Sequence, residues 1–203
     1  TARGLATVAA ILGYVGRPLR WWEDGAWRRV HGWQRLRRWR YPAPVGPRWL
    51  AACDVPDLDL LPARHPGLQS AHFRAGLELR TLHFGLWLLS WLARARVVDD
   101  WSVHAGALKR MADWFERAGT DAGAMHVDLR GLDPDGRARR VRWHLVAEGG
   151  DGPQIPATPA IVIARKLARG ELPRRGAMPC VGLISLAEVL EALRDYAVRT
   201  HFP

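Results

Sequence analysis

Ala124-Met-His-Val-Asp-Leu-Arg-Gly-Leu132, Asp133-Pro-Asp-Gly136 and Val141-Arg-Trp-His-Leu145 are the stretches that decide the fold. The first alternates, with Met125, Val127 and Leu129 on one face and His126, Asp128 and Arg130 on the other. A period of two is the signature of a strand with one buried face. Asp-Pro-Asp-Gly is a turn: proline presets φ, aspartate accepts from the following backbone, and glycine closes. Val141, Trp143 and Leu145 then return on the apolar face. The reading is an antiparallel hairpin.

Working outward, residues 5–13 predict a helix that Gly16-Arg-Pro18 breaks. Glu23-Asp24-Gly25 lies between two short apolar runs and predicts a second hairpin. Residues 42–66 hold six prolines and predict an irregular connection with one short strand near 49–53. Residues 72–80 alternate and predict a strand, with His72, Arg74, Glu78 and Arg80 on its polar side. Helices are predicted over 81–96, 101–118 and 159–169, the last with Thr158 as N-cap and Pro159 at the first helical position. Ser185 and Glu188 have capping-box spacing, which starts a final helix over 186–199. Strands followed by clustered helices give an α+β class: a mixed, largely antiparallel sheet with helices packed on one face.

The chain has 203 residues, enough for one well-buried core. Two cysteines exclude a disulfide framework and a cysteine-built zinc site. Cys180, after Pro179, reads as a buried strand thiol. The longest apolar run, residues 82–93, is too short to span a bilayer. The eight histidines lack close metal-ligand spacing, so no metal is expected. No Gly-x-Ser-x-Gly elbow is present, and no catalytic nucleophile can be named.

The formal net charge is +10. Between positions 21 and 49, six tryptophans interleave with Arg28, Arg29, Arg35, Arg37, Arg38 and Arg40. Arginine beside aromatics can neutralise phosphates while bases stack, so a nucleic-acid or anion-binding module using 21–49 is one reading. The other is an amphipathic segment with its rings turned inward. No nucleic-acid fold signature accompanies the patch, which weighs against nucleic acid as a partner.

A further constellation would form if the strands aligned into one sheet. One face would then carry His72, Arg74, Glu78, Arg80, His126, Asp128, Arg130, Arg142 and His144. Such a face suits an anionic or amino-acid substrate, a self-pairing subunit interface, or solvent with cross-strand charge pairs. Gly149-Gly-Asp-Gly-Pro153 could turn backbone N–H groups toward an anion or simply connect hairpin to helix.

Several segments, in order, resemble a known family. They are Trp22-Glu-Asp-Gly-Ala-Trp27, Tyr41-Pro-Ala-Pro-Val-Gly-Pro-Arg48, Gly123-Ala-Met-His-Val-Asp-Leu-Arg-Gly131, Arg142-Trp-His-Leu-Val-Ala147, Gly150-Asp-Gly-Pro-Gln-Ile-Pro156 and Gly176-Ala-Met-Pro-Cys-Val-Gly182. Together they resemble the C-terminal half of bacterial saccharopine dehydrogenase-like NAD(P)-dependent oxidoreductases. The resemblance implies a two-domain cytoplasmic enzyme. A Rossmann domain would bind NAD(P), and a C-terminal domain would close over an amino-acid-like substrate and form a homodimer. The chain departs from that pattern in having no glycine fingerprint and no βαβ opening. With its start at Thr1, this implies a chain cut from a longer polypeptide. The expectation is one substrate-binding and dimerisation domain over 1–203, inactive alone and without a cofactor site. Residues 1–16 and 185–203 would pack on the missing Rossmann domain. The cleft residues implied are Arg48, His126, His144, Gly150, Asp151 and Gly152, with a histidine suited to move a proton.

Overall fold

The computed structural model describes residues 4–115, 118–172 and 176–202. The chain folds as two compact units. Unit 1 comprises Thr1–Arg40 and Gly46–Thr120; unit 2 comprises Tyr41–Val45 and Asp121–Pro203. The class is α+β. Every pairing between described strands is antiparallel, so the expected mixed sheet is instead three small antiparallel ones.

Unit 1 starts with α1 (Leu5–Gly13). The hairpin β1 (Pro18–Glu23) and β2 (Ala26–His31) follows as expected. Its two turn residues, Asp24 and Gly25, have φ of 52° and 72°, the twist that suits a two-residue hairpin. β3 (Arg37–Arg40), β4 (Pro47–Ala52) and β5 (Arg74–Ala75) form the second sheet. The proline-rich connection also holds a short helix, α2 (Asp57–Arg64), which its prolines disguised. α3 (Arg80–Arg94), a 3-10 turn (Trp101–His104) and α4 (Ala105–Asp113) complete the unit.

Two apolar clusters hold these elements. One joins Leu19, Trp21, Val30, Ala52, Leu58 and Ala71 across the hairpin, β4 and α2. The other joins Leu12, Val15, Trp33, Ala51 and Ala105, with Leu77, Leu86 and Leu108 packed against it. The expected strand over 72–80 shrinks to two residues. Leu77 turns into the second cluster, and Gly76 lies where a Cβ would come within 2.2 Å of the Trp49 carbonyl oxygen. The chain bends there and enters α3 instead of continuing the ladder.

The 21–49 segment turns its rings inward. Trp21, Trp33 and Trp39 are buried, and Trp27 is the exposed tryptophan of the six. Arg74, Arg37 and Arg20 lie over the rings of Trp21, Trp39 and Trp27. Buried rings offer no platform for stacked bases.

Unit 2 is built on β6 (Gly123–Leu132), β7 (Ala138–Ala147) and β8 (Val198–His201), in that order. The hairpin turns at Asp133, whose carboxylate accepts from the N–H groups of Asp135 and Arg137. α5 (Gln154–Ala168) begins earlier than expected. Thr158 is therefore not its cap: its hydroxyl donates back to the Gln154 carbonyl at 2.8 Å, inside the helix. The capping box at Ser185 is present and starts α6 (Leu186–Ala192). Lys166 of α5 bonds Glu188 of α6 at 2.6 Å. α6 stops well short of residue 199. Leu193 is buried at its end, and the chain turns back to become β8.

The facing of β6 is the reverse of what its pattern predicts. Met125, Val127 and Leu129 are exposed, whereas His126 and Asp128 are half-buried. The polar side is covered because it finds partners there, described below. Cys180 is likewise exposed and lies outside any strand, whereas Cys53 is buried. Burial pushes the Cys53 thiol up, as it donates to the Tyr14 hydroxyl at 3.1 Å. No described helix is long and apolar enough to cross a membrane.

Candidate functional site

The register of unit 2 places three histidines in one row across its sheet. His126 of β6 lies opposite His144 of β7, which lies opposite His201 of β8. Directly opposed residues share a face, so all three imidazoles stand on the same side. His126 and His144 have ring centroids 6.2 Å apart. Tyr41 covers them from the short 41–45 segment. Its hydroxyl is 2.9 Å from Nδ1 of His126, and its ring meets both imidazoles edge-on at 5.4 and 6.0 Å. Tyr41 and His144 are both buried. Burial, aided by the nearby His201 and Arg142, lowers the pKa of His144.

Two residues along the strands, the chemistry changes from aromatic to ionic. Asp128 pairs with Arg140 through two bonds, 2.6 Å to Nε and 2.7 Å to the terminal nitrogen. Arg130 and Arg142 approach the same carboxylate at 3.4 and 3.6 Å. The Arg140 hydrogen bonds, aided by the three positive charges, hold Asp128 down to about 2. This face sets three guanidinium groups around one carboxylate, beside the row of imidazoles. It can hold an anionic group and exchange a proton with what is bound.

The Asp128 group gives a testable pH limb. A depressed carboxylate contributes stability that is complete above its unfolded value of 3.8 and lost as pH falls through about 2. We expect Asp128→Asn to cost about 2 kcal/mol at neutral pH and to flatten stability between pH 4 and 2. Urea unfolding followed by far-ultraviolet circular dichroism reads both. An unchanged acid limb in the variant refutes the assignment.

Of the residues expected at a cleft, His126 and His144 come together. Gly150, Asp151 and Gly152 form the loop between β7 and α5. Asp151 is occupied structurally: its carboxylate accepts from the Ala197 N–H at 2.7 Å, and its own N–H donates to the Glu148 carbonyl. The Glu148 N–H in turn donates to the Ala197 carbonyl, and Arg199 pairs with Glu148. The glycine-rich loop is thus a clasp that seats β8 beside β7. Arg48 belongs to unit 1, where its guanidinium is 3.4 Å from Glu78. His72, Arg74, Glu78 and Arg80 also belong to unit 1, so the single nine-residue polar face does not form.

Tyr41 and His201 are members of the cluster that sequence reasoning did not single out. Tyr41 stood within a quoted motif. His201 was missed because the expected helix ran to 199; a strand over Val198-Arg-Thr-His201 would have placed it in register. Among the described residues, no group of three or more His, Cys, Asp or Glu side chains is placed to hold a metal ion. Compared with protein families and with curated proteins, the chain matches none.

Proposed function

We propose that the chain is the substrate-binding and dimerisation part of a saccharopine dehydrogenase-like NAD(P)-dependent oxidoreductase that works in the cytoplasm. One observation carries the reading. The segment around Tyr41, 85 residues from His126 in sequence, joins the two hairpin segments that resemble that family in one cluster of Tyr41, His126 and His144. The adjoining Arg130, Arg140 and Arg142 suit the carboxylate of an amino-acid-like substrate. An imidazole in the row can accept or return a proton as the substrate changes charge.

The residues present do not fit a dinucleotide. The chain has no Gly-x-Gly-x-x-Gly, and no described strands pair in parallel, so no βαβ cradle exists among them. The nicotinamide would be held by a separate domain. The exposed Met125, Val127 and Leu129 on edge strand β6 support a homodimer, since an uncovered apolar edge favours pairing with a second copy.

The deciding experiment is the sequence of the coding region upstream of Thr1. A strand followed by a glycine fingerprint there supports the reading. The joined protein should then oxidise NADPH in the presence of an amino-acid-like acceptor, and the chain alone should not. A start codon at or just before Thr1 would remove the oxidoreductase assignment.

A further inference from the structure

Unit 1 contains an apolar cavity of about 480 Å³ between α1, α3 and α4. That volume is in the range of small-molecule sites, which are mostly apolar with a few polar groups. Its walls are aliphatic. Val8 and Ile11 come from α1, Leu82 and Leu86 from α3, and Leu108 and Met111 from α4. The mouth is rimmed by apolar groups that solvent reaches: Leu88 is 57% exposed and Met111 55%.

The charged side chains on the wall already have partners. Lys109 bonds both carboxylate oxygens of Asp113, at 2.9 and 2.7 Å. Glu78 accepts from the Thr120 N–H and hydroxyl at 2.9 and 2.7 Å and faces Arg48. No unbalanced charge on the wall asks for an ionic ligand. Filling this space with an amino acid would strip charged groups of water without giving them partners. An uncharged aliphatic chain loses nothing there and removes apolar wall from water.

Gly85 is the second, independent sign. It lies in the middle of α3, where glycine weakens a helix. Nothing in the fold requires it: its φ is not left-handed, and a Cβ built on it would meet no atom within 4 Å. What Gly85 does is leave open the space it lines. The geometry points to a binding site for an uncharged aliphatic chain, inserted between α1, α3 and α4.

Gly85→Leu is the sharpest test, because its Cβ meets no atom within 4 Å, its side chain takes up cavity space and leucine is a better helix former. Met111→Glu is the second variant, because it places a charge at an exposed position on the mouth. The probe is a dansyl-labelled undecanoic acid used below its micelle concentration, with 1-dodecanol as uncharged competitor. Wild-type protein should bind one probe saturably and release it to dodecanol, but not to free glutamate or lysine. Both variants should bind roughly tenfold or more weakly, with helical circular dichroism and thermal unfolding retained. No saturable binding by the wild type overturns the proposal. So does equal binding by Gly85→Leu. A wild-type dimer whose probe binding falls as protein concentration rises would show that a second copy fills the cavity, and would overturn it too.

Discussion

Lowering the pH from 6.5 to 4 is expected to cost unit 1 about 3 kcal/mol through His83 alone. His83 is 0% exposed on α3. Its Nδ1 accepts from the Leu77 N–H at 3.4 Å, and its ring meets Trp33 and Phe84 edge-on at 5.2 and 5.8 Å. Its Nε2 has no hydrogen-bond partner among the described residues. Burial therefore lowers its pKa from 6.5 to about 4. The sign follows from proton counting. Between those values the unfolded chain binds a proton at this site and the folded chain does not. Stability is complete above pH 6.5 and falls as pH drops toward 4. Burial, the largest cause in each case, also lowers the pKa of His31 and His72, so both act in the same direction.

The measurement is urea unfolding at pH 7, 5.5 and 4 for the wild type and His83→Asn. Asparagine can still accept from Leu77 and does not titrate. The variant is less stable at pH 7, because it leaves a void, but its slope over this window should be the smaller by about 3 kcal/mol. Equal slopes would show that His83 is not held neutral. The Asp128 limb in unit 2 lies lower, between pH 4 and 2, so the two acid windows are separable.

Trp21→Ala is expected to destabilise unit 1 by about 3–5 kcal/mol, a large share of the about 5–15 kcal/mol that holds an ordinary domain together. Trp21 is 0% exposed and joins β1 to β2, β4 and α2 through one cluster. The Arg74 guanidinium sits 4.5 Å above its ring, and His72 is 4.8 Å away. Alanine would leave a void and take away the surface on which Arg74 rests. Trp21→Phe should cost far less. It keeps a ring under the guanidinium and removes an indole N–H that has no partner among the described residues. Thermal and urea unfolding of the two variants give the comparison. A loss below about 1 kcal/mol for alanine would mean the hairpin does not depend on this ring.

Periodicity and turn chemistry were legible wherever they were strong. Asp24-Gly25 and Asp133-Pro-Asp-Gly136 fixed two hairpins, and Ser185 with Glu188 fixed the start of α6. The apolar run after residue 80 became α3. Errors came where the same local pattern allows two outcomes. Residues 72–80 alternate, but Gly76 and the pull of Leu77 into the helical cluster ended the strand after two residues. Residues 193–201 could extend a helix, but the Glu148 and Asp151 bonds to Ala197 bring them in as the third strand.

The candidate site was half legible. His126 and His144 follow from the hairpin, because an antiparallel register sets one opposite the other once the turn is known. His201 required β8, and Tyr41 required a contact 85 residues away in sequence. Neither leaves a trace in composition or spacing.

By itself, then, the sequence determined the α+β class, the two tight hairpins, the lack of a dinucleotide fingerprint and the +10 charge, because each depends on residues close together or on a count. Tertiary structure decided which face of β6 is covered, where His201 stands and that a cavity opens over Gly85. Burial is a property of what packs against a residue. Alternation fixes two faces of a strand, but partners distant in the chain choose which one faces inward.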